Sequence, residues 1–247
     1  ILGVKRDAET IRKSADYGDS APCNIDVNCP EGDPWKEQIR SVVMIGIDDP
    51  DPDIFAVTRF CSGALVNNVR EDGRRFILTA GHCYIESADT SDLDLWVFYF
   101  EYEQPECDSL YDGSLFFYRT GATLKAYGEM AFESDFTLVE MDMEIPSFYH
   151  PYYAGWNNFD SAATWTFPGH HAMGDVKKIS FDESAAESSG PQSEFGISHW
   201  GVHYLPSQGT GAIQSGSSGA PLFDQNGRIV GQHTFGHNYE DMCAVDT

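Results

Sequence analysis

Basic residues, long apolar runs and helical periodicity are all scarce in this chain of 247 residues. Fifteen Lys and Arg against 39 Asp and Glu leave a formal charge of −24, a field that repels nucleic acid and anionic lipid, so neither is expected as a partner. No window reaches the roughly 18–20 apolar residues that a helix needs to cross a membrane. The chain opens on Ile1 with no charged-then-apolar leader, so any signal peptide is expected to have been removed. There is no CxxC pair of the zinc type and no Asn-x-Ser/Thr sequon.

Hydrophobic residues make up 41% and aromatics 13%, well outside the composition of a disordered chain. Short runs rich in Val, Ile, Phe, Tyr and Thr predict strands at 41–47, 75–79, 93–101, 136–141 and 228–235. Turn chemistry separates them, at Asp48 to Asp53, Glu71 to Gly73, Tyr111 to Ser114 and Asp224 to Gly227. The one helical stretch lies within 5–16, so residues 1–20 read as an N-terminal extension or pro-segment remnant, and 21–247 as the main domain. Residues 182–219 are rich in Ser and Gly, a composition of loops, and loops on a rigid β-scaffold carry active sites.

A serine hydroxyl is a weak nucleophile at neutral pH, so it needs an imidazole to take its proton and a carboxylate to hold that imidazole in one tautomer. Leu78-Thr79-Ala80-Gly81-His82-Cys83 ends a strand in small residues and presents a histidine. Ser134-Asp135-Phe136-Thr137-Leu138 opens a buried strand with an aspartate. Gly216-Ser217-Ser218-Gly219-Ala220-Pro221 flanks a serine with glycines, exposing its hydroxyl and offering Gly216 and Ser218 N–H groups as an oxyanion hole. The order His, Asp, Ser is that of the chymotrypsin arrangement.

With these motifs, and with Cys23 to Asp33, Gly63 to Asn68 and Ala154-Gly155-Trp156, residues 22–243 resemble the trypsin/chymotrypsin superfamily and, within it, the bacterial lysyl endopeptidases. The resemblance implies an all-β fold of two packed six-stranded Greek-key barrels, and a secreted serine endopeptidase with His82, Asp135 and Ser218 as its triad. It further implies a monomer acting on protein or peptide substrates without cofactor or metal. The six cysteines match the family's positions, which implies the pairs Cys23–Cys243, Cys29–Cys107 and Cys61–Cys83. Family members continue beyond the position of Cys243, so the second barrel is expected to be truncated here.

The pocket departs from trypsin. Ala212 stands where trypsin carries its specificity aspartate, and Ser217 stands where trypsin has the aspartate that pairs with a new N-terminus. Activation by Ile1 is therefore not expected, and a pro-segment is expected to assist folding. Lysyl endopeptidases place an aspartate several residues after the last cysteine; Asp246 is the sole nearby candidate, and it reads rather as an exposed terminal residue. Ala212, Ile213 and Gln214 on one side, and His233, Thr234, Phe235 and Gly236 on the other, are expected to bind substrate, with Lys preferred at P1. His233 resembles the glutamyl endopeptidase pattern, which makes an acidic P1 the alternative. A latent or non-catalytic protease-fold binding protein is the rival of another class. The acidic cluster Asp48, Asp49, Asp51 and Asp53 reads as a solvated turn rather than a calcium loop. The pairs His199/His203 and His233/His237 lack the helix that would make their spacing useful for zinc.

Overall fold

The computed structural model describes residues 20–48, 57–85, 92–109, 111, 113–128, 134–188, 199–236 and 243. The stretch 5–16, most of the cluster from Asp49 to Asp53, His237 and Asp246 lie outside the described residues. The strands within them are β1 (Ile25–Asp26), β2 (Val42–Asp48), β3 (Val57–Val66), β4 (Phe76–Thr79), β5 (Val97–Tyr99), β6 (Tyr118–Thr120) and β7 (Ala122–Gly128). They continue with β8 (Phe136–Met141), β9 (Thr166–His170), β10 (Lys178–Ile179), β11 (Glu187–Ser188), β12 (Trp200–Gly201), β13 (Pro221–Asp224) and β14 (Ile229–Gln232).

These strands form two curled antiparallel sheets, ordered β6-β5-β2-β3-β4-β8-β7 and β1-β10-β9-β13-β14, with a β11-β12 ribbon beside them. The all-β fold is the one expected, with the described strands divided seven and five between the two sheets rather than six and six. Residues 93–101 are the largest departure from the expected strands. Leu93–Leu95 form a 3-10 turn because the Asp92 carboxylate accepts the Asp94 N–H, so only Val97–Tyr99 pair as a strand. The last expected strand is regular only to Gln232, opposite Pro221, and beyond it main-chain bonds continue at His233, which donates its N–H to Ala220 O at 2.8 Å.

One apolar core lies within the first sheet, and a second lies between the second sheet and residues of β2 and β3 such as Val42, Ala64 and Val66. The first holds Ile45, Leu65, Ile77, Trp96, Phe98, Phe100, Val139 and Met141, and the second Val42, Phe167, Ile179, Phe223 and Ile229. Residues 154–157 stitch the two together: Ala154 N–H donates to Leu65 O at 2.9 Å, and Asn157 N–H donates to Ile229 O at 2.8 Å. Disulfides join Cys23 to Cys243, Cys29 to Cys107 and Cys61 to Cys83, the last tying β3 to the histidine turn.

The Phe167 ring is the hub of the second core, with centroids of Trp35 at 4.3 Å and Phe223 at 5.1 Å. Phe167→Ala should lower the unfolding free energy by about 3–5 kcal/mol in a denaturant titration. The same change at Phe159, 74% exposed, should be nearly neutral, and equal effects would contradict this core.

Candidate active site

Strand β4 pairs with β8 so that Thr79 faces Thr137, which brings the residues just after β4 and just before β8 to one end of the sheet. His82 begins a one-turn helix there and Asp135 leads into β8. A Cβ at Gly81 would lie 2.8 Å from Asp135 Oδ1 and 2.5 Å from Gly128 O, so a residue without one is required between strand and histidine. Asp135, 1% exposed, then grips the histidine twice. Its Oδ1 accepts the His82 backbone N–H at 2.7 Å and its Oδ2 faces Nδ1 at 2.7 Å.

Burial raises the Asp135 carboxyl, but its bonds to His82 and to the Thr234 hydroxyl outweigh that and leave it below the usual aspartate value. The carboxylate therefore accepts Nδ1–H, which fixes the tautomer and leaves the Nε2 lone pair of His82 for a proton. Gln232 Nε2 adds a hydrogen bond to the Asp135 carbonyl, and a second to Thr234 Oγ1 at 3.2 Å. The first of these bonds ties the second sheet to the main chain of Asp135.

Ser218 lies in the loop before β13, and its carbonyl accepts the Ser62 N–H of β3 at 2.7 Å. Gly219, with φ of +80°, passes so close to β4 that a Cβ would sit 2.2 Å from Thr79 Oγ1 and 2.6 Å from Ala80 N. The Ser218 loop is thus laid on the backbone that leads into His82. On the other side Gly219 N–H donates to His233 O at 2.7 Å, and His233 N–H to Ala220 O at 2.8 Å.

The carbonyls of the loop are tied down from behind. Ser215 O accepts Met173 N–H at 2.6 Å, and Ser217 O accepts Ala220 N–H at 2.9 Å. In a trans peptide the N–H points opposite its carbonyl, and no cis bond is present among the described residues, so Gly216 N–H points away from Met173 and Ser218 N–H away from Ala220. Gly216, at φ +88°, makes this turn possible, and the Ser62 hydroxyl donates to its carbonyl at 2.9 Å.

The pocket residues come together only in part. Ala212 is buried and its carbonyl accepts the Ser180 hydroxyl at 2.9 Å. Gln214 Oε1 accepts Ala21 N–H and Asn24 Nδ2, both at 2.8 Å, so its amide is engaged with the start of the domain. Burial and the nearby His82 hold His233 down to about 4, with Asp135 opposing them, so this ring is neutral at pH 7. Phe235 packs its ring 5.9 Å from that of His199.

Sequence reasoning missed Ser62, Met173 and His170. His170 is fully buried, with Ser217 Oγ at 2.9 Å from Nδ1 and Ser180 Oγ at 3.1 Å from Nε2. Ser217, a neutral residue where trypsin carries an aspartate, shows only that no charge pair holds the loop and does not name His170.

The model of the lysyl endopeptidase C-terminal domain family matches residues 17–244. Among solved structures the chain is similar to the thermostable serine protease AL20 from an extremophilic microorganism, at 16% identity over 82% of this chain and 88% of that one, with a TM-score of 0.59. Protease Anisep from Arthrobacter nicotinovorans matches at 16% identity over 81% and 85%, TM-score 0.57. The scabies mite inactivated protease paralogue S-I1 matches at 14% over 83% and 88%, TM-score 0.56. The paralogue carries the same fold in a protein described as inactivated, so the fold alone does not decide activity.

Burial first, then the charges of His233 and Lys178, push the His170 imidazole from 6.5 down to about 3. The unfolded chain takes up a proton below pH 6.5 that the folded chain refuses, so this ring's contribution is full above that pH and is lost as pH falls towards 3. The stability difference between the wild type and His170→Gln should therefore shrink by about 1.4 kcal/mol per pH unit between pH 6 and pH 4 in paired denaturant titrations. A difference independent of pH would contradict a neutral, buried His170.

Proposed function

This chain belongs to the family of the lysyl endopeptidase C-terminal domain and is a serine endopeptidase, and from that premise we propose that His82, Asp135 and Ser218 perform the hydrolysis. The observation that carries the proposal is the double grip of Asp135 on His82, at 2.7 Å to the backbone N–H and 2.7 Å to Nδ1, beside the nucleophile loop. Ser218 Oγ attacks the peptide carbonyl as His82 Nε2 takes its proton, and Asp135 steadies the imidazolium. Gly216 N–H and Ser218 N–H receive the charge on the carbonyl oxygen, each worth about 2.7–4 kcal/mol in the transition state. His82 then returns the proton to the leaving amine, and water releases the acyl group by the same steps in reverse.

Lys is the proposed P1 residue. Ala212, Ile213 and Gln214 form one wall of the proposed pocket, and Thr234, Phe235 and Gly236 the other. A His233 held neutral brings no charge to a glutamate, which favours Lys over the acidic alternative. Three disulfides fit an oxidising, extracellular setting, and secretion and action as a monomer are part of the proposal. Residues 21–247 are the proposed protease domain, with 1–20 as an N-terminal extension or pro-segment remnant. Ala21 is the first of the domain's residues bonded to the Gln214 amide.

Digestion of a mixed peptide library, read by mass spectrometry, should give cleavage after Lys that Ser218→Ala lowers by about 10⁴-fold or more. Cleavage after Glu would reassign the pocket to His233. A wild type that cuts nothing would replace the proposal with a latent or non-catalytic protein.

A further inference from the structure

The donors and acceptors around His170 admit only one direction. Ser180 Oγ gives its single proton to Ala212 O at 2.9 Å, so towards the imidazole it accepts from Nε2–H at 3.1 Å. Nε2 therefore carries the ring proton of the neutral imidazole, and Nδ1 accepts from the Ser217 hydroxyl at 2.9 Å. Gln214 N–H completes the run by donating to Ser217 Oγ at 3.4 Å. The chain Gln214 to Ser217 to His170 to Ser180 to Ala212 thus begins and ends on the segment that leads into the nucleophile, and every member is neutral.

We propose that His170 is the positioning residue of the oxyanion hole, holding Ser217 through Nδ1 so that the N–H groups on either side of it, Gly216 and Ser218, stay turned to the cleft. Ser217 lies between the two donors, and its own N–H is spent on Gln214 O at 3.0 Å. With its hydroxyl and N–H both anchored, the peptides that join Ser217 to Gly216 and to Ser218 cannot rotate without breaking buried hydrogen bonds, and Gly216 N–H, one peptide earlier, is held through Ser215 O and Gly216 O. The neighbouring His171 reinforces the same loop by donating its N–H to the Ser62 hydroxyl that holds Gly216 O. An uncharged imidazole fastened within the second sheet does here what a charge pair with a chain end would do, and it needs no new N-terminus.

The inference rests on Ser218 as nucleophile, and its test separates the two. Ser217→Ala, which removes one oxygen, and His170→Phe should each lower kcat by about 10²-fold while KM changes by less than about threefold, because the hole acts on the transition state. Affinity for a peptide aldehyde, whose adduct with the serine is tetrahedral, should fall in step with kcat. His170→Asn, which keeps an acceptor near Nδ1, should recover most of both, and the double variant should be no worse than either single one. Thermal melting identifies folded variants, and Ser217→Ala decides the question if His170→Phe does not fold. Folded variants with unchanged kcat and aldehyde affinity, or with only KM raised, would overturn the role of His170. A wild type that neither cleaves peptides nor binds the aldehyde would overturn the nucleophile, and the positioning role with it.

Discussion

A Cβ at residue 219 would stand 2.4 Å from Ser62 O and 2.2 Å from Thr79 Oγ1, and the whole cleft depends on that close approach. Backbone from one sheet lies directly on backbone from the other, so the loop bearing Ser218 is registered against the turn bearing His82 by main-chain atoms. Main-chain bonds have no rotamers to lose, which makes them better spacers than two long side chains would be. The second tie, from Gln232 to the Asp135 carbonyl, brings the far wall of the cleft onto the same frame.

The interior that supports this frame is polar yet nearly uncharged, in a protein whose surface is heavily acidic. Ser62, Ser180, Ser217, Thr79 and His170 are all fully buried. Such groups cost folding energy unless paired, and here they bond one another or loop carbonyls. Among the described residues the buried charged side chains are each matched: Lys177 by Glu103, Lys178 by Asp26, Asp135 by His82, and Asp182 and Asp224 by N–H groups of the chain around them. Neutral pairing keeps the loop's geometry independent of salt and of the large exterior field, to which a buried ion pair would respond.

Much of this was legible in the residues. Strand Phe136–Met141 alternates half-buried and buried positions, so its period of two was plain. The three motifs were readable because close packing fixes small neighbours beside the polar residues: Gly81 makes room for Asp135, and Gly219 for Thr79. Less was legible where a local bond overrides propensity, as when Asp92 converts an apparent strand at Leu93 into a turn. The partnership of His170 with Ser217, 47 residues apart, was not readable at all. Nothing in local sequence distinguishes a histidine that buttresses a loop from one that fills a core.

The central claim is a serine made nucleophilic by His82. Diisopropyl fluorophosphate, followed by intact mass and peptide mapping, tests it most directly, since the reagent phosphorylates an activated serine hydroxyl and spares ordinary ones. The account predicts a single adduct per chain, placed on Ser218, that forms rapidly in the wild type and at background rate in His82→Ala. An unlabelled wild type, an adduct on another serine, or equal labelling of His82→Ala would contradict it.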